Sequence, residues 1–132
     1  MRTIKFRAKN LDGEWVYGFY VEEERQTLNG FEKKYFIVND GYDYVKPDTV
    51  GQFTGLYDKD GKEIYEGDII LEKLKRSRKD GDLHEIVFED CQWFGKNKDG
   101  AATSLSLLND FHVIKIIGNI HDNPEILKGG EK

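Results

Sequence analysis

The sequence predicts a small, mostly β domain: a barrel or roll of short strands and hairpins, with at most one or two short helical turns. Three observations carry this. Apolar residues alternate with charged or polar ones over short windows, the period of a half-buried strand. Turn pairs such as Asp12-Gly13, Asn29-Gly30 and Asp60-Gly61 fall between those windows, which is hairpin spacing and not the spacing of βαβ units. No long stretch carries an amphipathic helical pattern.

Ile4-Lys5-Phe6-Arg7-Ala8 alternates apolar and charged residues, so a strand is expected there. Asp12-Gly13 turns the chain into Trp15–Val21, whose odd positions Trp15, Tyr17, Phe19 and Val21 are all large. Gly18, on the other parity, leaves room for a close neighbour. These two strands are expected to form a hairpin, and the acidic run Glu22-Glu23-Glu24 is expected to mark the strand's exit at the surface. Asn29-Gly30 is a second turn. Tyr35–Val38 reads as a short strand, broken by Asn39-Asp40-Gly41. Tyr42–Lys46 reads as a loop or an edge strand. Pro47, which lacks an N–H, belongs outside any central strand.

Val50–Leu56 reads as a strand whose Gly51 and Gly55 suggest a bulge or close backbone approach. Asp58-Lys59-Asp60-Gly61 is a hairpin turn, with Asp60-Gly61 suited to the left-handed backbone of type I′. Lys62–Tyr65 returns, Glu66-Gly67-Asp68 reverses again, and Ile69-Ile70-Leu71 opens another strand. Composition then shifts to the basic stretch Lys73–Lys79, followed by Asp80-Gly81-Asp82. An exposed, mobile loop or the splayed ends of two strands is expected there, and two lobes, if present, would meet near 73–82. Glu85–Glu89 and Phe111–Gly118 read as strands, and Ser104–Leu108 as either a strand or a helical turn. Asn123-Pro124-Glu125 resembles a helix start. A single domain over 1–127 with a disordered tail at 128–132 is the expected organisation.

Composition narrows the function classes. Among 132 residues, 34% are charged and 38% hydrophobic, which fits one domain with a modest core. Aromatics at 13% argue against disorder. No apolar run reaches the ~20 residues a membrane helix needs, and the charged first residues do not read as a secretion signal. A single cysteine, Cys91, excludes an internal disulfide and suits a reducing cytoplasm. The net charge of −5 does not favour nonspecific binding to a phosphate backbone.

Three blocks in order carry a family resemblance. They are Ile4-Lys5-Phe6-Arg7 with Gly13–Gly18, then Asp48–Leu56 with Asp58–Asp68, then Ile117-Gly118-Asn119-Ile120 with Asp122–Leu127. Together they resemble the YopX-like family of phage and prophage proteins over nearly the whole chain. His121 stands where an aromatic is usual, and Cys91–Asn109 matches poorly. The resemblance implies a mostly β domain with SH3-like barrel sheets, a phage or prophage origin and a bacterial cytoplasm. It brings no catalytic residue and no cofactor.

Candidate chemistry falls into four classes: metal binding, catalysis, nucleic-acid binding and protein binding. Asp58-x-Asp60-Gly61 is a turn and not a calcium loop, because it lacks the further oxygen ligands and flanking helices of that site. His84, His112, His121 and Cys91 lack metal-ligand spacing, so no metal is expected. Cys91 with His84 or His112 can be imagined as a nucleophile pair; a buried, inert thiol is the expected reading, and no enzyme is expected. For nucleic acid, Lys73, Lys75, Arg76, Arg78 and Lys79 would supply charge and Trp93 a stacking surface. For protein binding, Tyr42 and Tyr44 are the candidate contacts, with a host or phage protein or a second copy as partner. The expected function is a non-enzymatic protein-interaction module. The nucleic-acid role is the alternative, and no membrane partner is expected.

Overall fold

The computed structural model describes residues 3–74 and 81–128. It is mostly β. The strands are β1 (Phe6–Lys9), β2 (Trp15–Thr27), β3 (Gly30–Val38), β4 (Tyr42–Tyr44), β5 (Gly51–Tyr57), β6 (Glu63–Tyr65), β7 (Asp68–Leu74), β8 (Asp82–Glu89), β9 (Gln92–Lys96), β10 (Ala102–Ser104) and β11 (His112–Asn119). Among the described residues a 3₁₀ turn (Pro47–Thr49) and two short α-helices, α1 (Leu105–Phe111) and α2 (Glu125–Lys128), accompany them. Neither α-helix is long and apolar enough to cross a membrane. The chain divides into two compact units, residues 1–53 and 54–132. β7 and β8, on either side of residues 75–80, pair with each other within the second unit.

In the first unit the antiparallel order is β4-β3-β2-β1, with the start of β5 against β1. The sheet curls until its ends meet: Val45 bridges Asn10, and the Lys46 N–H donates to the Lys9 carbonyl at 2.9 Å. Inside the curl lie Ala8, Ile37 and Val45, flanked by Phe6, Val16, Tyr20, Tyr35 and Val50. Gly18 faces this crowded side. A Cβ there would sit 2.3 Å from the Val38 carbonyl oxygen, so the close neighbour expected from the sequence is the β3 backbone.

The acidic run does not end β2. The strand continues to Thr27, with Glu23 opposite Lys34, Glu24 opposite Lys33 and Arg25 opposite Glu32. Opposite charges across a ladder stabilise it, and the basic residues of β3 turn the expected exit into an exposed two-stranded arm. β3 is correspondingly nine residues long, not four.

Three reversals repeat one chemistry: Asn10-Leu11-Asp12-Gly13-Glu14, Asp58-Lys59-Asp60-Gly61-Lys62 and Asn97-Lys98-Asp99-Gly100-Ala101. In each, the first residue's N–H donates to the fifth residue's carbonyl, and its own carbonyl accepts the glycine N–H. Its side-chain oxygen accepts the N–H of the third and fifth residues at 2.8–3.0 Å. The glycines take φ of +84°, +83° and +88°, the left-handed backbone that glycine adopts without steric cost. Asp60 is not left-handed, so this turn is not type I′; a side-chain oxygen and one glycine do the work instead. The turn with two left-handed residues is Asp90-Cys91, φ +51° and +63°, where no glycine signals it.

In the second unit the five-stranded order is β10-β9-β8-β7-β11, and the far half of β5 runs on to pair with β6. Its core is Ile64, Ile70, Ile86, Leu105, Leu108 and Ile114. Leu105 and Leu108 lie three residues apart on one face of α1, which is why Ser104–Leu108 is a strand end followed by a helix. The Asp58 turn is anchored here: its second carboxylate oxygen accepts the Ile116 N–H at 3.1 Å, and the Lys59 N–H donates to Ile114. Glu72 and His84 are a buried pair, Oε1 to Nε2 3.1 Å.

Candidate docking face

Strand alternation places Tyr17, Phe19, Val21, Glu23 and Arg25 on the side of β2 opposite the first unit's core. Register extends this face across the sheet. Phe19 is opposite Val38, which is opposite Tyr42; Val21 is opposite Phe36, which is opposite Tyr44. Two apolar rows of three residues result. Beyond them Glu23 pairs in register with Lys34, and Arg25 with Glu32.

The rings organise one another. Phe36 meets Tyr42 at 5.5 Å and Tyr44 at 5.9 Å between centroids, both nearly perpendicular, the edge-to-face geometry that ring quadrupoles favour. A concavity of about 530 Å³ lies over Val21, Phe36, Val38, Tyr42 and Tyr44, rimmed by Glu23 and Arg25. Phe19 is 65% exposed, Tyr42 76%, Tyr44 49% and Tyr17 44%. Side chains of about 200 Å² each, so exposed, leave on the order of 500 Å² of aromatic surface in water.

The charged rim is internally balanced. Arg25 Nε bonds Glu23 Oε1 at 3.1 Å, and Lys34 Nζ bonds Glu32 Oε1 at 2.7 Å. The hydrogen bond from Lys34 holds the Glu32 carboxyl below its ordinary range, and the same bond pushes Lys34 up. On the inner side, burial and then the hydrogen bond to Glu22 push the Tyr20 hydroxyl up to about 12.

Of the sequence-predicted contacts, Tyr42 and Tyr44 stand together here, on an edge strand. Phe19, Val21, Phe36 and Val38 complete the face and were not singled out. For Phe19 and Val21 the signal was the run of large odd positions in Trp15–Val21, whose outward direction the sequence does not state; Phe36 and Val38 join them only through the β2–β3 register. Of the predicted nucleic-acid contacts, Lys73 is exposed on β7. Trp93 is half-buried on β9 against the second core, its ring 4.8 Å from Phe88. Lys75, Arg76, Arg78 and Lys79 lie outside the described residues, as do 129–132 of the expected tail. Lys128, the first of those tail positions, ends α2.

Cys91 is exposed at the β8–β9 hairpin tip and not buried as expected. The His84 ring is buried with Nε2 on Glu72, so these two do not form a nucleophile pair. The described residues include no group of three or more His, Cys, Asp or Glu that could hold a metal ion.

The fold and face define a two-unit β protein with an aromatic sheet surface. Residues 5–128 match the family model described as YopX protein, and the chain belongs to that family. Among solved structures it is similar to protein EF1440 from Enterococcus faecalis, at 27% identity and TM-score 0.55, over 96% of this chain and 99% of that one. It is also similar to protein yopX from Bacillus subtilis, at 18% identity and TM-score 0.59, over 96% and 97%. The second likeness speaks for the fold alone. No curated protein matches.

Proposed function

We propose that this chain is a non-enzymatic protein-interaction module that docks its partner on the outer aromatic face of the first unit. One observation carries the reading: Phe19, Tyr42 and Tyr44 remain 49–76% exposed on one sheet face. Contiguous apolar surface of this size often marks a binding site, and tyrosine and phenylalanine are enriched at interface centres. The family resemblance adds the setting, a phage or prophage accessory protein in a bacterial cytoplasm. The alternative, nucleic-acid binding through 73–79, has less behind it, since Trp93 is packed against Phe88 and the second core.

The test is a pull-down from bacterial lysate with the tagged chain and its Tyr42→Ala/Tyr44→Ala variant. The expected result is a stoichiometric protein that survives nuclease treatment and is lost in the variant. Recovery of nucleic acid, abolished by neutralising Arg76 and Arg78, would reverse the order of the two readings. A second copy of the chain as occupant would appear as concentration-dependent mass in sedimentation.

A further inference from the structure

On this side of the sheet, in-chain cations already sit over two of the rings, the Arg7 guanidinium being itself buried. The Arg7 guanidinium lies 4.5 Å from the Trp15 centroid, Lys9 Nζ lies 5.5 Å from the same ring, and Lys34 Nζ lies 5.7 Å from Tyr44. Phe19 and Tyr42 are the most exposed rings of the face, and among the described residues no cation lies over either. An aromatic face attracts cations through its quadrupole. Of these three cations the guanidinium approaches closest, as a planar ion able to stack should.

Charge agrees. Arg25 and Lys34 are each held by a glutamate, so they do not repel an incoming cation at full strength. Glu23 spends Oε1 on Arg25, and its second oxygen retains acceptor capacity. Asp40 stands exposed just before β4, and the chain carries −5 overall. Spacing agrees too. Tyr42 and Tyr44 are two strand residues apart, roughly 7 Å, which is the repeat of an extended chain.

Resting on the docking-face reading, we propose that this face binds an extended, arginine-bearing segment of a partner protein. A guanidinium stacks on Tyr42, and the alternate apolar side chains enter the concavity over Val21, Phe36 and Tyr44.

Fluorescence anisotropy tests it, with the full chain and a labelled peptide alternating valine and arginine. The controls replace every arginine by neutral, planar citrulline, or the peptide by an oligothymidine. Salt is kept at about 0.3 M to screen diffuse attraction. The arginine peptide is expected to bind, the citrulline peptide about tenfold more weakly, and Tyr42→Ala and Phe19→Ala to weaken the arginine peptide about five- to tenfold each. Unchanged thermal melts will show that these exposed-site variants fold. The proposal is overturned if the arginine peptide does not bind, if citrulline serves equally, if both variants bind like the parent, or if the oligonucleotide is preferred. Equal binding of citrulline and arginine peptides, both lost in Tyr42→Ala, would overturn the arginine requirement and leave the docking face standing. Indifference of every peptide and of the pull-down to Tyr42 would remove both.

Discussion

Both units leave large apolar side chains in water, Tyr57, Phe88, Leu107 and Ile117 in the second, but the first gathers Phe19, Tyr42 and Tyr44 on one sheet face. The second buries isoleucine and leucine beneath α1 and even encloses a Glu72–His84 pair. The first closes its sheet around a core centred on Ala8, Ile37 and Val45 and turns Phe19, Tyr42 and Tyr44 outward. A tightly curled sheet has little interior volume, so bulky side chains such as Phe19 and Tyr42 on its outer side remain in water. The comparison teaches that side-chain size in a strand does not by itself mark the inside. It also sets a unit whose buried isoleucines and leucines serve stability beside one whose outer face is the proposed docking surface.

Substitutions can break that contrast. The largest effect is expected at His84→Leu, which takes the imidazole from a buried carboxylate and should cost about 3–5 kcal/mol in urea unfolding. A loss under about 1 kcal/mol would mean that the other interactions of Glu72 suffice. Ile86→Ala, at 0% exposure, should cost about 2–5 kcal/mol through lost burial and a residual cavity, read as a shift in the denaturation midpoint.

Asp58→Asn comes next, at about 1–3 kcal/mol. Asn10 and Asn97 show that an amide can make the two turn bonds, but at this position its NH₂ would meet the Ile116 N–H. The substitution also sharpens the pH dependence. Burial by itself would raise the Asp58 carboxyl, but the N–H groups of Lys62, Ile116 and Asp60 outweigh it and hold the carboxyl below its ordinary range. The native state therefore binds this proton more weakly than the unfolded chain does. Its stabilisation is complete above the unfolded value of about 3.9 and is lost as pH falls through the native one. Unfolding midpoints measured between about pH 6 and pH 2 should fall less steeply in the asparagine variant. Parallel curves would show that Asp58 does not set the acid limb.

The smallest expected effect is Tyr42→Ala, within about 0.5 kcal/mol in stability despite removing a large aromatic side chain. A loss above about 2 kcal/mol would place Tyr42 among the folding residues and erase the contrast between the units.

Much of the β architecture was readable from local chemistry. Asp12-Gly13, Asn29-Gly30 and Glu66-Gly67-Asp68 reverse the chain where expected, because glycine's left-handed freedom and a side-chain oxygen act within a few residues. The Asp90-Cys91 turn was not readable, because two non-glycine residues take the left-handed backbone there under the demand of the β8–β9 pairing. The length of β2 was missed because the Glu22-Glu23-Glu24 run is stabilised by lysines that are remote in sequence until β3 folds back.

For the candidate site, Tyr42 and Tyr44 could be found from tyrosines in a polar stretch, whereas Phe19, Val21 and Phe36 required the register. The sequence by itself determined the strand-rich class, the positions of most turns and the family, since turn geometry and alternation are properties of neighbouring residues. Only the tertiary structure decided which side of β2 faces water and which rings share a surface. Those depend on sheet curvature and cross-strand register, which arise from contacts between residues far apart along the chain.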